Sequence, residues 1–228
     1  MTTYVNEYAL QFTLTPSTTA LLVIDMQNAT GSLDHGLAKK LRAEGRLDEA
    51  KYRFERINKF VVPNTQKLLA AFRRLGAPVI YITYGAEQAD YGDVARHIRP
   101  FVAATGNRAG NPEHEIVAAL KPLPGEPVLN KTTMGAFAST GIDSRLRAMG
   151  VTEVVCVGVS TNNCVAMTAM EAADRGYGAV LVSDATGTCS DRMQQAFEEM
   201  FLRLWGRVLP TAAVIDELDR NALPRAAQ

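Results

Sequence analysis

The sequence predicts an α/β fold, a three-layer α/β/α sandwich around a mainly parallel sheet of roughly six strands. Short apolar runs alternate with helical patterns along the chain. The runs are apolar at successive positions, as in 154–157, which is typical of strands that helices cover on both faces. The predicted strands lie at 20–24, 77–83, 127–130, 153–159 and 178–183, with a further short run centred on Val208.

The segments between these runs predict helices and one long loop. Residues 63–76 show a helical apolar period, with a proline near the start and a glycine at the end, and should connect the first two strands. Residues 84–112 are polar, glycine-rich and poorly periodic, so we interpret them as a loop that flanks the site. Residues 30–60 form a charged insertion in which helical spacing relates Leu37, Leu41 and Leu47.

The composition favours a single domain that acts on a small molecule. A chain of 228 residues with 47% hydrophobic content can bury one substantial α/β core and is short for two. Basic and acidic residues number 24 each, and no basic stretch alternates with aromatic residues, which argues against a nucleic-acid groove. The turn at 25–31 lacks G-x-G-x-x-G, and no G-x-x-x-x-G-K-[ST] occurs, so a nucleotide site is not expected.

The sequence predicts a cytoplasmic protein without membrane contact. Its first residues show no charged-then-apolar signal pattern, and no apolar run approaches the ~20 residues that cross a bilayer. The three cysteines are an odd number without disulfide-like spacing. They therefore suit a reducing compartment.

Cys164 is a candidate nucleophile. It follows the strand at 153–159 and begins an amphipathic pattern, which places the thiol at a strand-to-helix junction. Unpaired N–H groups and the helix dipole favour thiolate over thiol there. A free cysteine is otherwise commonly a small buried hydrophobe, and Cys156, inside the strand, fits that description. Cys189, in the turn at 186–190, is expected near a site edge.

Asp25 and Lys131 strengthen this interpretation. Asp25 ends the first apolar run, and Lys131 follows the extended piece at 127–130. In a parallel sheet the carboxyl ends of the strands share one edge, where sites form. Alone, Asp25 could cap a helix and Lys131 could be solvated. An acid, a lysine and a cysteine at three equivalent points of the topology instead predict one catalytic site.

Five segments resemble the isochorismatase-like cysteine hydrolases over residues 18–215. They are IDMQ at 24–27, KTTMGAFAST at 131–140, GVSTNNCV at 158–165, AADRGY at 172–177 and DA at 184–185. The family includes nicotinamidases, N-carbamoylsarcosine and ureidoacrylate amidohydrolases, biuret and triuret hydrolases, and isochorismatases that lack the cysteine. The resemblance implies one hydrolase domain over 1–228, with its core at about 18–215.

The resemblance also implies roles for individual residues. Asp25, Lys131 and Cys164 correspond to the catalytic Asp, Lys and Cys of the family. The oxyanion-hole donors correspond to the backbone N–H groups of Ser160 and Cys164, with a cis peptide between Val159 and Ser160. A homodimer or homotetramer is expected, for which the later helices offer Met167, Met170, Phe201 and Leu204. The sequence alone does not separate interface from core at these positions.

No metal or other cofactor is expected. Nicotinamidase-like members carry Asp-x-His and a further histidine after the second strand, whereas 84–90 reads YGAEQAD here. His35, His97 and His114 are scattered without the short spacing of a zinc site. The pair formed by Asp34 and His35 is the remaining partial candidate. This departure argues against a nicotinamidase and for a metal-independent amidohydrolase.

The predicted function is cysteine-dependent cleavage of a C–N bond in a small carbamoyl or ureido amide of the biuret, triuret or N-carbamoyl type. A thioester forms and ammonia leaves. The alternatives are a vinyl-ether hydrolase that uses Asp25 without covalent catalysis, and a catalytically silent interaction protein. The candidate substrate-binding residues are Asn28, Tyr84, Glu87, Phe137 and Asn163. Asn163 could equally form a local turn, and Phe137 could equally be a core residue. Trp205 could cover the pocket or be a core or interface residue.

Overall fold

Six parallel strands form one sheet in the order β3-β2-β1-β4-β5-β6. The structure is a computed structural model that describes residues 4–222, so both ends of the predicted 1–228 domain lie outside the described residues. The strands are β1 Thr19–Ile24, β2 Val79–Tyr84, β3 Val128–Lys131, β4 Glu153–Val159, β5 Gly178–Gly187 and β6 Arg207–Leu209. The predicted mainly parallel, six-stranded α/β sheet is confirmed.

Helices connect consecutive strands. A π-helical segment, Ile57–Val61, joins α3 to α4, and a second one, Thr161–Val165, precedes α7. Short 3₁₀ turns lie at Tyr4–Tyr8, Leu47–Ala50, Pro112–His114 and Ala118–Leu120. The α-helices are α1 Asn28–Gly31, α2 Gly36–Ala43, α3 Lys51–Arg56, α4 Val62–Arg74, α5 Arg99–Ala104, α6 Ile142–Ala148, α7 Ala166–Asp174, α8 Asp191–Phe201 and α9 Thr211–Ala222.

The core lies on both faces of the sheet. Every residue of β1 is buried, and its side chains alternate between two hydrophobic clusters, as the two-residue period of a strand requires. Residues of α4 and α9 cover one face, and residues of α6, α7 and α8 cover the other. Burial on both faces explains why the strands are continuously apolar. The predicted three-layer arrangement is therefore observed.

The elements differ from the predictions mainly at their ends. The helix predicted at 63–76 is observed as α4, within two residues at each end. β5 runs to Gly187, four residues beyond its predicted end, because a register shift between Cys156 and Gly158 lets β4 pair with a later part of β5. The predicted loop at 84–112 is a longer connection, from β2 to β3, that contains α5.

Gly158 is required by the close approach of β4 to β1. Its φ is 113°, and a Cβ atom there would lie 2.0 Å from the carbonyl oxygen of Ile24. Only glycine fits such a backbone contact. Because Gly158 lies six residues before Cys164, this contact fixes the entry into the turn that carries the thiol.

The surface proposed for oligomerisation needs one correction. Phe201 is fully buried in the cluster beneath α8, since its side chain fills space against the sheet, so it offers no free surface. Met167 and Leu204 are exposed by 44% and 57%. Trp205 is partly buried against the same cluster as Phe201.

None of the helices in the described part of the chain combines the length and apolarity needed to cross a bilayer.

Candidate active site

The carboxyl ends of the strands bring Asp25, Lys131 and Cys164 together. Asp25 follows β1, Lys131 ends β3, and Cys164 lies in the turn between β4 and α7. Because β2 separates β3 from β1, the Lys131 side chain crosses the end of β2. There its Nζ lies 4.8 Å from the centre of the Tyr84 ring. The sheet order thus delivers the lysine to the acid across one intervening strand.

Asp25 and Lys131 form a buried ion pair. Lys131 Nζ donates to Asp25 Oδ2 at 3.0 Å and to the Thr133 carbonyl oxygen at 3.2 Å. Asp25 has a φ of 52°, in the left-handed region that aspartate tolerates better than most residues. The other carboxylate oxygen, Oδ1, is buried and has no hydrogen-bond partner among the described residues. That oxygen is available to accept a proton or a substrate N–H.

Burial and the neighbouring charge shift the pKa of both members of this pair. It raises the pKa of Asp25 above its ordinary value of 3.8, and the opposing charge of Lys131 does not fully offset the effect. Burial also disfavours the charge on Lys131, but the Asp25 carboxylate reverses this and raises the pKa of the lysine. The lysine therefore stays protonated, while Asp25 is a stronger base than an ordinary aspartate.

Cys164 lies buried beside Asp25, with its Sγ 3.3 Å from Sδ of Met134. Burial, followed by the Asp25 carboxylate, raises the pKa of the thiol to about 12, against the opposing effect of Lys131. The helix N-terminus was expected to favour the thiolate, but desolvation of the buried sulfur acts in the opposite direction and is the largest effect on its pKa. A base must remove the thiol proton when the sulfur attacks.

The turn that carries Cys164 is held on two sides. The Val159–Ser160 peptide is cis, as the resemblance implies. The Ser160 carbonyl oxygen accepts from the backbone N–H of Asn163 at 3.0 Å and of Val165 at 3.3 Å. On the side of α3, Ser160 Oγ accepts from Arg53 Nη1 at 2.7 Å. These bonds give the turn a fixed shape beside the thiol.

A cavity of about 440 Å³ opens above the thiol. Asp25 and Cys164 are part of its lining, while Lys131 is fully buried behind Asp25. Two predicted substrate-binding residues, Tyr84 and Asn163, line the cavity. The exposed Cys189 also lines it, whereas Cys156 is buried in the core. The volume suits a small molecule.

Three predicted substrate-binding residues lie elsewhere, which corrects their assignment. Asn28 begins α1 and points away from the cavity, because its Nδ2 donates to the Pro112 carbonyl oxygen at 2.9 Å. The Glu87 carboxylate accepts from Asn130 Nδ2 at 3.2 Å beside the outer strand β3. Phe137 is buried in the core, with its ring centre 6.0 Å from that of Tyr177.

Sequence reasoning missed several cavity residues, of which Arg53 carries the most chemistry. Arg53 lies on α3, in the segment interpreted only as a charged insertion. The sequence carries only an indirect signal: Phe54, Ile57 and Val61 recur at helical spacing, which predicts an amphipathic helix but not which of its cations reaches the cavity. The other missed residues include Thr30, Met134, Asn162 and Thr188.

Gln27 is the last residue of the 24–27 motif, and its side chain hydrogen-bonds to the segment that connects β2 and β3. Gln27 Oε1 accepts from the Tyr84 backbone N–H at 2.9 Å, and its Nε2 donates to the His114 carbonyl oxygen at 2.9 Å. Asn107 Nδ2 donates to the Tyr84 carbonyl oxygen at 2.7 Å. Burial lowers the pKa of His114, which keeps this imidazole neutral within the network. The buried amides thus join the end of β2 to the segment around His114.

The histidines have separate surroundings. His97 lines the cavity, His114 belongs to the Gln27 network, and His35 Nδ1 lies 3.8 Å from Glu113 Oε1. Within residues 4–222, no group of three or more His, Cys, Asp or Glu side chains is arranged to hold a metal ion.

We expect any activity of this site to be independent of a metal ion, because Cys164, Asp25 and Lys131 themselves offer a nucleophile, a base and a cation. Prolonged dialysis against a chelator should leave kcat and KM unchanged. The matched control is the same protein dialysed without chelator and then supplied with zinc, iron or manganese. Loss of activity on chelation that any of these ions restores would contradict the prediction.

Known proteins resemble this chain in sequence and in fold. The isochorismatase domain matches residues 19–213. The chain belongs to the isochorismatase family. Ureidoacrylate amidohydrolase RutB of Agrobacterium fabrum is 32% identical over 200 residues, which are 81% of this chain and 82% of that protein. RutB of Variovorax paradoxus is 31% identical over 184 residues, which are 75% of this chain and 69% of that protein.

Solved structures of the isochorismatase family share the fold. The family protein from Desulfovibrio vulgaris superimposes with a TM-score of 0.74 at 30% identity, covering 88% of this chain and 97% of that one. N-carbamoylsarcosine amidase from Thermoplasma acidophilum superimposes with a TM-score of 0.64 at 28% identity, covering 85% of this chain and 96% of that one. The family resemblance predicted from the sequence motifs is confirmed.

Proposed function

We propose that this protein is a cysteine-dependent amidohydrolase that cleaves a C–N bond of a small carbamoyl or ureido compound and releases ammonia. One observation carries the proposal: the buried Asp25–Lys131 pair lies beside the Cys164 thiol at the cavity. A nucleophile, a base and a fixed cation in one desolvated place are the groups that acyl transfer requires.

The first step is attack by sulfur on the substrate carbonyl carbon. Asp25 accepts the thiol proton as the S–C bond forms, because the carboxylate is a strengthened base and the thiol is neutral at rest. Throughout the reaction, the positive charge of Lys131 stabilises the negative charge in the site. The carbonyl oxygen becomes an oxyanion, and we assign the backbone N–H groups of Ser160 and Cys164 as its donors.

The second step breaks the C–N bond. Protonated Asp25 gives its proton to the leaving nitrogen, so a terminal carbamoyl group loses ammonia and the remaining acyl group stays on Cys164 as a thioester. Water then attacks this thioester while Asp25 takes a proton from it, and that proton returns to the sulfur. The sum is one amide and one water converted to one acid and one ammonia, with the enzyme restored.

Two facts support a carbamoyl or ureido substrate. The similar proteins are a ureidoacrylate amidohydrolase and an N-carbamoylsarcosine amidase. A ureido substrate has several N–H and C=O groups that need hydrogen-bond partners when buried. The cavity offers such partners in Asp25 Oδ1 and the side chains of Asn162 and Asn163.

The proposal is tested by an ammonia-release screen over biuret, triuret, N-carbamoyl amino acids, ureidoacrylate and nicotinamide. We expect release from at least one carbamoyl or ureido compound and none from nicotinamide. Release from nicotinamide alone would contradict the proposed substrate class. Turnover of a vinyl ether without any ammonia release would favour the non-covalent alternative.

A cytoplasmic location fits the chemistry of the site. Cys156, Cys164 and Cys189 are all free cysteines. Catalysis as proposed needs Cys164 as a thiol, and a reducing compartment keeps it so. We therefore propose that the enzyme acts in the cytoplasm.

Activity should fall in acid at a higher pH than an ordinary aspartate would allow. The free enzyme needs Asp25 as the carboxylate, and burial raises the pKa of this group above 3.8. The acid limb of kcat/KM should therefore lie above pH 3.8. In Lys131→Met the limb should move to still higher pH, because the cation that lowers the pKa of Asp25 is gone. A pH–rate profile checks both; an acid limb that Lys131→Met leaves in place would contradict the assignment of Asp25 as base.

A further inference from the structure

Arg53 carries a charge into the cavity that the protein does not neutralise. Its Nη1 donates to Ser160 Oγ at 2.7 Å, and its Nε donates to the Thr30 carbonyl oxygen at 3.2 Å. Both acceptors are neutral. Among the described residues, no carboxylate lies within 4.0 Å of this guanidinium in an ion pair. The side chain is therefore oriented by two hydrogen bonds and has no counter-ion in contact, while the Asp25 carboxylate acts on it only at longer range.

The other charges of the cavity are matched. Asp25 is paired with Lys131 at 3.0 Å. Glu49, at the rim, accepts from Arg46 Nε at 2.9 Å and from Arg46 Nη2 at 2.8 Å. Burial lowers the pKa of Arg53, yet a guanidinium remains protonated near neutral pH. One positive charge is thus left without a contact partner, and because Arg53 is partly buried, a ligand that completes the pair is favourable there.

We infer that Arg53 binds a carboxylate of the substrate, which is therefore an N-carbamoyl compound with one negative charge. The inference rests on the proposed function and narrows it. A guanidinium presents parallel N–H donors that match a carboxylate in a bidentate pair. A single free positive charge matches a monoanion, whereas a phosphate dianion would leave an excess negative charge beside Asp25.

The rest of the cavity wall fits the carbon chain of such a substrate. Leu37, Ile98 and Phe101 supply an apolar side, and their burial of a short hydrocarbon spacer is favourable. The substrate would then lie with its terminal urea at Cys164 and its carboxylate at Arg53. Neutral compounds such as biuret and triuret leave Arg53 unpaired, so they are expected to be poorer substrates.

Arg53 has a second candidate role that the test must separate. Because it donates to Ser160, it could instead act as a positioning residue for the proposed oxyanion hole. A carboxylate-binding residue affects only charged substrates and mainly KM. A positioning residue lowers kcat for charged and neutral substrates alike.

The test compares matched substrates in matched variants. The substrates are N-carbamoylglycine and N-carbamoyl-β-alanine, each beside the neutral urea in which an isopropyl group replaces the carboxylate. The variants are Arg53→Gln, Arg53→Lys and, as a control, Arg56→Gln. Arg56 lies one turn further along α3 and donates to the carbonyl oxygens of Thr186 at 2.9 Å and Ser183 at 2.8 Å, outside the cavity.

We expect the wild-type protein to prefer at least one carboxylate substrate over its neutral partner by about 10–100-fold in kcat/KM, as charged hydrogen bonds of this type provide. Arg53→Gln should remove the preference, chiefly through KM, so that the loss of kcat/KM on the carboxylate substrate exceeds the loss on its neutral partner by at least about tenfold. Arg53→Lys should retain part of the preference, and Arg56→Gln should retain all of it. Equal losses on charged and neutral substrates would overturn the inference.

A binding measurement separates this inference from the proposed function. In Cys164→Ala, which cannot form the thioester, the N-carbamoyl carboxylates should still bind and raise the melting temperature. Adding Arg53→Gln should weaken that binding at least about tenfold. Arg53-dependent binding without ammonia release from any substrate would sink the proposed function and leave the carboxylate site standing. Ammonia release, together with binding that Arg53→Gln leaves unchanged, would overturn the carboxylate site and leave the proposed function standing.

Discussion

Replacing Cys164 with alanine should lower ammonia release by at least about 10⁴-fold. The change removes the only atom in the proposed scheme that can bond to the substrate carbonyl carbon, and loss of a nucleophile from a unit of this kind commonly costs several orders of magnitude. The remaining cavity keeps its shape, so substrate binding should survive. Steady-state ammonia release and ligand-induced thermal stabilisation measure the two properties separately.

Cys156→Ala is the matched control for this prediction. Cys156 is also buried, and burial likewise raises the pKa of its thiol to about 12, but it lies inside β4 among apolar side chains. The control should lower stability through a small core cavity and leave kcat near its wild-type value. If Cys164→Ala retains near-normal ammonia release, covalent catalysis is excluded and direct hydrolysis through Asp25 becomes the better account.

Asp25→Asn and Lys131→Met should each lower kcat by about 10³-fold or more, and the double variant should be little worse than either. Asn keeps the shape of Asp but cannot accept the thiol proton. Met keeps the length of Lys but removes the charge next to the base. Because the two residues act as one unit, their effects should not add. Fully additive losses would show that they act independently.

Stability must be measured beside these rates. Either single variant leaves a buried charge without its partner, and breaking a buried ion pair commonly costs about 3–5 kcal/mol. Arg73→Met is the control: Arg73 pairs with Glu126 at 2.8 Å, far from the cavity lining. It should lower the free energy of unfolding without lowering kcat. A comparable loss of kcat in that control would attribute the losses at Asp25 and Lys131 to folding.

The convergence of Asp25, Lys131 and Cys164 was accessible from the sequence because it follows from topology. Each residue closes or follows an apolar run, and parallel strands place those positions at one edge. The extent to which burial desolvates the thiol was not accessible. The helix N-terminus is a local feature that the sequence reveals, whereas the desolvation that opposes it depends on packing by Met134 and other distant residues.

The cavity wall was harder to predict for the same reason. Asn28 and Glu87 lie close in sequence to strand ends, yet single hydrogen bonds direct their side chains elsewhere. Arg53 lies 107 residues before its partner Ser160, and the helix that carries it reaches the cavity only in the folded chain. Proximity to a strand end predicts which backbone lies at a site, but tertiary contacts decide which side chains face it.

The covalent intermediate on Cys164 is the most direct test of the proposed mechanism. The protein is mixed with an N-carbamoyl substrate and quenched in acid at a series of times during turnover. The quenched protein is digested, and the mass of the peptide that contains Cys164 is measured by mass spectrometry. The mechanism predicts a peptide heavier by the mass of the substrate less that of ammonia, absent in Cys164→Ala. An unmodified Cys164 peptide at every time, together with ammonia release by Cys164→Ala, would contradict it.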